Sequence, residues 1–409
     1  MPTALADPTY RRLFAAQAVS LAGTGLATVA LGLLAYDLAG SGAGLVLGTV
    51  FAIKMVAYVA VAPVAAAVVH VAPPRAVLVA ADVVRVVVVL GLPWVSAVWQ
   101  VYVLVLLMQA ASAVHTPAYQ AVLPRVLRDE RRYTQALSFS RLAEDLEMVL
   151  SPLLAAALLL VVPAPDLFVG TAIGFAASAL LVSRLTLGRA PAEGGELPFG
   201  ARVRRGVALM VATPALRAVL ALNLAVAAGG AYVLVQYVLI AREVFDRGDG
   251  AAALLVAALG AGSIAVAVLL PRALAALPER RLMLGGAGVL VAATAAVAPA
   301  LLVPGTGGLV LVGALFVVVG AGWAAAETPV GRIIARTTPE RDQPAVFAAQ
   351  FALSHACWLL TYPLAGWLGG RGLGSAALVL AGIGAVAAVA TAALWPRPAP
   401  RPAPAGVAR

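Results

Sequence analysis

The segment 44–69, GLVLGTVFAIKMVAYVAVAPVAAAVV, carries a single charged side chain, Lys54. A helix rises about 1.5 Å per residue, so this run is long enough to cross the ~30 Å hydrocarbon layer of a bilayer. Comparable runs recur from residue 13 to residue 396. Of the 409 residues, 63% are hydrophobic and only 11% charged, where a soluble domain averages about 25% charged. Too few polar side chains remain to clothe two or three soluble domains, and the mean hydropathy of +0.99 agrees. The fold class that follows is an all-α membrane protein.

Twelve transmembrane helices are predicted, at 13–36, 44–69, 76–94, 99–122, 137–162, 168–187, 215–240, 250–271, 283–303, 309–332, 346–370 and 375–396. Pro and Gly mark the joints, as in Ala-Pro-Pro-Arg at 72–75 and Val-Pro-Gly at 303–305, because neither readily continues a helix. The longest polar connection divides the chain into a six-helix half (1–187), a cytoplasmic linker (188–214) and a second six-helix half (215–396), followed by a Pro/Arg tail (397–409). Two six-span halves around a polar loop are the layout of a repeat-built secondary transporter.

Charge placement sets the orientation. With the N-terminus inside, 22 of the 28 Lys and Arg residues fall in cytoplasmic segments, and only Arg242, Arg247 and Arg371 fall outside. Basic residues accumulate on the cytoplasmic side of membrane proteins, so both termini are expected in the cytoplasm and the protein in the plasma membrane. The same asymmetry accounts for the +10 net charge without a nucleic-acid partner. The opening MPTALADPTYRRLF reads as the start of a retained first helix rather than a cleaved signal.

Ionisable residues inside spans need a reason, since each costs a few kcal/mol in lipid on insertion scales. Lys54 lies midway along the second span, and Asp82 and Arg85 lie in the third, next to the 70–75 loop, where they read as a gating or structural latch. The fifth span holds Arg141, Glu144, Asp145 and Glu147, three acids in four positions with a basic residue one turn away. Like charges that close repel one another in a dry site, which suits holding a proton or a cation in turn. Gln17, Ser20, Thr24 and Thr28 form one stripe on the first helix. His115 and Glu327 each stand two residues before a proline, and His355 and Cys357 lie two apart, about 200° around a helix, so they are no chelating pair.

Other chemistries lack their residues. A lone cysteine, Cys357, excludes a disulfide framework, and a lone lysine, Lys54, follows no glycine-rich phosphate loop. Neither Gly-x-Ser-x-Gly nor His-Glu-x-x-His occurs. No enzyme activity and no cofactor are expected.

Ala-Val-His-Thr-Pro-Ala-Tyr-Gln-Ala-Val-Leu-Pro at 113–124 resembles the helix 4 signature of the drug- and siderophore-exporting branch of the major facilitator superfamily. The 63–85 region resembles the superfamily's loop between helices 2 and 3, with Ala66, His70 and Val71 standing where Gly, Asp and Arg are usual. Leu-Ala-Tyr-Asp-Leu at 34–38, Leu-Ala-Glu-Asp-Leu-Glu at 142–147, Glu-Thr-Pro-Val-Gly-Arg at 327–332 and Ala-Gln-Phe-Ala-Leu-Ser-His-Ala-Cys-Trp at 349–358 resemble the superfamily's nickel-resistance exporters. The tail lacks the histidines some of them carry.

The resemblance implies a monomeric, proton-coupled exporter working by alternating access, with Ni²⁺ or Co²⁺ as cargo. Glu144, Asp145, Glu147, Glu327 and Lys54 would handle the proton, while His115, His355, Cys357, Gln17 and Gln350 would meet the cargo. Two alternatives stand beside it: export of a small organic drug or siderophore, and a non-transporting membrane sensor or scaffold. The orientation is testable by reporter fusion after residue 396. A fluorescent protein there is expected to be bright and alkaline phosphatase inactive; the reverse pattern would overturn the assigned sidedness.

Overall fold

The computed structural model describes residues 3–186 and 199–396; the side chains of 59, 61–71, 134, 138, 141, 142, 144, 145, 148, 149, 199, 202 and 271 lie outside the described set. Among the described residues the structure is helical throughout, with no strand. The first group of helices is α1 (Pro8–Ala39), α2 (Ala43–Val71), α3 (Pro74–Gly91), α4 (Val98–Val126), α5 (Glu130–Leu158) and α6 (Asp166–Ser183). Then come α7 (Phe199–Ala212), α8 (Pro214–Leu239), α9 (Asp249–Ala276), α10 (Glu279–Ala300), α11 (Gly305–Glu327), α12 (Val330–Thr337), α13 (Gln343–Gly369) and α14 (Leu373–Leu394).

Helices α1 and α5 start on capping side chains. Asp7 caps α1 by accepting from the backbone N–H of Thr9 and Tyr10, with Pro8 at the first helical position, and Asp129 accepts from the N–H of Arg132 to cap α5. These are the residue types that satisfy the free N–H groups at a helix start. Every expected span overlaps a helix, but only ten stretches qualify as membrane crossings by length and composition among the described residues. One of the ten, Pro8–Tyr58, runs through α1 into α2 across the short turn at 40–42, and α5 is not among them.

Within the 188–214 segment, residues 199–212 form α7, which packs along α13. One expectation needs correction. The span drawn at 309–332 ends early: α11 stops at Glu327, and α12 restarts at Val330 beyond Thr328-Pro329. Proline cannot donate the helical hydrogen bond and disfavours helical backbone just before it. The matching His-Thr-Pro in α4 does not break, and that helix runs on through Pro117.

Helices α1 to α6 pack mainly among themselves, as do α8 to α14, and the two groups meet along α2–α13 and α5–α9. Lipid is as apolar as a leucine surface, so little hydrophobic force draws helices together there, and small residues that permit backbone contact carry the packing instead. On α9 a Cβ at Gly262 would come within 1.8 Å of the Val317 carbonyl oxygen; on α11 a Cβ at Gly320 would meet the Leu259 carbonyl at the same distance. The Ser263 hydroxyl donates to the Gly320 carbonyl across that seam at 3.0 Å. Between the groups, Gly48 and Gly366 make the same close approach of α2 to α13.

Gly320→Val is expected to lower the thermal midpoint in detergent by several degrees, given the ~1–3 kcal/mol typical of overpacking. Gly382→Ala, where nothing lies within 4 Å, should leave the midpoint unchanged or slightly raised. Equal midpoints for wild type and Gly320→Val would contradict the seam.

Candidate functional site

A cavity of about 250 Å³ lies within the first helix group, walled by α1 to α5. Gln17, Ser20, Leu21 and Thr24 line it from α1, Tyr58 from α2 and Arg85 from α3. Ser112, His115, Thr116, Tyr119, Gln120 and Leu123 come from α4, and Leu137 and Ser140 from α5. Three of the four residues in the α1 stripe therefore face the cavity. The fourth, Thr28, spends its hydroxyl on the Thr24 carbonyl at 3.1 Å. The Ser140 hydroxyl donates to Gln17 Oε1 at 2.9 Å, joining α5 to α1 across the cavity wall.

Behind the wall sits a buried charge group. Asp82 is fully buried and Arg85 nearly so, and the Arg85 guanidinium donates to Asp82 Oδ1. Arg85 also lies over the Phe175 ring of α6, 4.3 Å from its centroid, a contact worth up to ~2 kcal/mol when desolvated. The second carboxylate oxygen, Oδ2, faces His115 Nε2 across 3.7 Å. Neither of those two atoms has a hydrogen-bond partner. Thus Asp82 and Arg85, read from the sequence as a latch beside a loop, stand two to three turns into α3, which begins at Pro74, and Arg85 reaches the cavity. An oxygen and a nitrogen facing each other without partners can share a proton, a water or a cation.

The other expected residues scatter. His355 hydrogen-bonds through Nδ1 with the Phe351 carbonyl at 2.8 Å and stacks on the Phe351 ring at 3.9 Å between centroids, with Tyr58 at 6.1 Å. Gln350 and Asn223 exchange two amide hydrogen bonds, 2.9 and 3.1 Å, tying α13 to α8. Glu327 accepts from the Trp323 indole N–H. Trp323 begins a chain of rings through Trp358, Tyr362 and Phe51, with centroids 4.9 to 5.0 Å apart, that links α11 and α13 to α2. Cys357 is half-buried against the core, and Lys54 is half-buried on α2. Glu147 reaches α1, its Oε1 standing 2.7 Å from where a Cβ on Gly25 would be. The side chains of Arg141, Glu144 and Asp145, like that of His70, lie outside the described residues. Among the described residues no three of His, Cys, Asp and Glu gather as a metal-holding group.

Sequence reasoning passed over Ser112, Thr116 and Gln120. Steps of four place them on one stripe of α4, the same signal that marked the α1 stripe.

The two ends of the bundle differ. Around the turn at 40–42, the Tyr36 hydroxyl donates to Glu243 Oε1 at 2.7 Å, Arg242 lies 5.5 Å from the Tyr36 ring centroid, and Tyr237 Oη donates to the Val29 carbonyl at 3.4 Å. These contacts join α1 to α8 and its π-helical extension at 240–244. The polar cavity lies toward the opposite end, where α1 begins, α4 ends and α5 begins.

The sequence matches the Major Facilitator Superfamily over residues 13–330, so the chain belongs to that superfamily. It is a multi-pass membrane transporter, not an enzyme. None of the curated proteins is similar enough in sequence to match it. Among solved structures it is similar to nucleoside transporter NupG at TM-score 0.75 and 12% identity, over 95% of this chain and 99% of that one. A D-xylose-proton symporter aligns at TM-score 0.72 and 13% identity, over 95% and 98%. A bacterial homologue of the iron transporter ferroportin, in an inward-facing state, aligns at TM-score 0.73 and 11% identity, over 94% and 98%. At these identities the likeness establishes the fold alone.

Removing one partner of a buried ion pair strands the other charge and costs about 3–5 kcal/mol, whereas an apolar pair of similar volume is often tolerated. Asp82→Asn is therefore expected to lower the thermal midpoint strongly, and Asp82→Leu combined with Arg85→Met to restore most of the loss. A neutral Asp82→Asn would contradict the buried pair.

Proposed function

We propose that the chain is a secondary transporter of twelve spans in two halves, which exports a small polar organic solute by proton-coupled alternating access. The observation that carries the reading is the cavity lined by the Gln17 stripe of α1 and the Ser112–Thr116–Gln120 stripe of α4. Its wall offers hydroxyls, amides, an imidazole and a guanidinium, with no carboxylate among the lining residues. Donors and acceptors of that kind fix a neutral or anionic organic solute by hydrogen bonds, and a volume of about 250 Å³ suits a small one. The closed end at Tyr36–Glu243 and the cavity toward the arginine-rich end support an inward-facing state, with both termini in the cytoplasm of a plasma-membrane protein. Glu147 against α1, and Glu327 against the aromatic chain, are in-span acids placed to sense helix movement and carry the coupled proton, alongside Glu144 and Asp145. Export and proton coupling draw support from the helix 4 resemblance at 113–124.

A second reading keeps Ni²⁺ or Co²⁺ as the cargo. One observation favours it: His115 Nε2 and Asp82 Oδ2 stand 3.7 Å apart without partners, and such ions accept N and O ligands. Against it, no third His, Cys, Asp or Glu joins them among the described residues.

The readings separate in inside-out vesicles with an imposed pH gradient, assayed with radiolabelled Ni²⁺ and with a panel of labelled nucleosides, sugars and amino acids. Gradient-dependent accumulation of an organic solute, at least tenfold weaker in Gln17→Leu and unaffected by competing Ni²⁺, is the expected result. Accumulation of Ni²⁺ alone would replace this cargo with the metal. Accumulation of neither above empty vesicles, with folded protein present, would defeat both cargo assignments.

A further inference from the structure

On the arginine-rich side of the second helix group, a cavity of about 370 Å³ lies between the α9–α10 corner, α12 and the end of α14. Three guanidinium side chains line it, those of Arg280, Arg332 and Arg336, against a single carboxylate, Glu279. Arg336 pairs with Glu279 at 2.8 Å and Arg332 stands 3.6 Å from it. One acid cannot neutralise three bases, so the cavity carries a net positive charge. Arg280 Nε is buried there with no hydrogen-bond partner, while the Arg332 and Arg336 side chains stay 62% and 67% exposed and free to close on an anion.

The rest of the rim is apolar and placed for a bilayer edge. Leu277 is 44% exposed at the corner, Leu394 is 43% exposed at the end of α14, and Trp395 lines the cavity just beyond it. Tryptophan concentrates at the level of lipid headgroups, where an apolar ring and a polar N–H are both satisfied. Arginine is the side chain best matched to a phosphate, because its planar fork presents two parallel donors. A basic pocket between helices beside an interfacial tryptophan is chemistry for a phosphate with acyl chains attached.

We propose that this cavity binds the headgroup of an anionic phospholipid, its phosphate held by Arg280, Arg332 and Arg336 and its chains lying over Leu277 and Leu394. The shared chemistry is a phosphate anion. The exposed apolar rim commits the source to lipid rather than to a soluble phosphate. Glu279 competes with the phosphate for the same arginines, so its removal strengthens binding.

Native mass spectrometry of the full chain released from detergent with defined lipids tests this. Retained phosphatidylglycerol is expected to exceed phosphatidylcholine at least fivefold, to fall to the phosphatidylcholine level in Arg332→Gln/Arg336→Gln, and to rise in Glu279→Gln. Arg217→Gln, an exposed arginine on another helix, should match wild type. If the double glutamine variant fails to fold, Arg332→Lys/Arg336→Lys keeps the charge without the fork, and intermediate retention is expected. Equal retention of the two lipids, or no change in Glu279→Gln and either double variant, would overturn the proposal. Displacement of phosphatidylglycerol by millimolar glycerol phosphate or inorganic phosphate would overturn the lipid source and mark a soluble-anion site.

Discussion

The backbone contact between helices is the constraint on which the rest of this structure depends. A chain that is 63% hydrophobic dissolves its helices in lipid, and lipid offers little incentive for one leucine surface to leave it for another. What holds the bundle is proximity that only glycine allows, as at Gly262 and Gly320, where each helix rests on the other's carbonyl oxygen. Dispersion and weak Cα–H···O contacts at that range are individually small and sum along a seam. The same approach at Gly48 and Gly366 brings α2 to α13, so the contact between the two helix groups is built from the material that builds each group. Aromatic rings also cross that seam, with Phe51 of α2 against Tyr362 of α13 and Tyr58 of α2 beside Phe351 and His355.

Polar groups are then free to be placed for function. The Asp82–Arg85 pair is held in a dry position by α3 against α4 and α6, with Phe175 beneath the guanidinium. A buried ion pair is poor value as stabilisation, because desolvation offsets much of the attraction. It lies behind the cavity, with one carboxylate oxygen left toward His115. The hydroxyl and amide stripes on α1 and α4 complete a polar wall with no carboxylate among its lining residues.

Much of this was legible in the chain. Hydropathy located most of the long helices, because the 18 or more apolar residues needed to cross lipid leave few alternatives, although α5 is not apolar enough to qualify. The α1 stripe was readable from steps of three and four, and all but Thr28 line the cavity. Other features required three dimensions. Helix α7 is amphipathic and short, and its packing face is visible only once α13 lies beside Gly206. The Thr-Pro pairs after His115 and Glu327 look alike in sequence, yet one helix continues and the other stops, since tertiary packing decides whether a proline kink is absorbed. The histidines looked like one ligand set because residue types carry no distances; in the fold His355 stacks with Phe351 and Tyr58, while His115 faces Asp82.

Sidedness of access is the claim on which the functional account turns, and Gln120, exposed on the cavity wall, reports it directly. With Cys357→Ser removing the one native thiol, Gln120→Cys should react with a membrane-impermeant maleimide in inside-out vesicles and resist it in right-side-out vesicles. Added substrate should slow the first reaction. Rapid labelling from the external face alone, or equal labelling from both faces, would contradict a cavity that opens to the cytoplasm while the Tyr36–Glu243 end is closed.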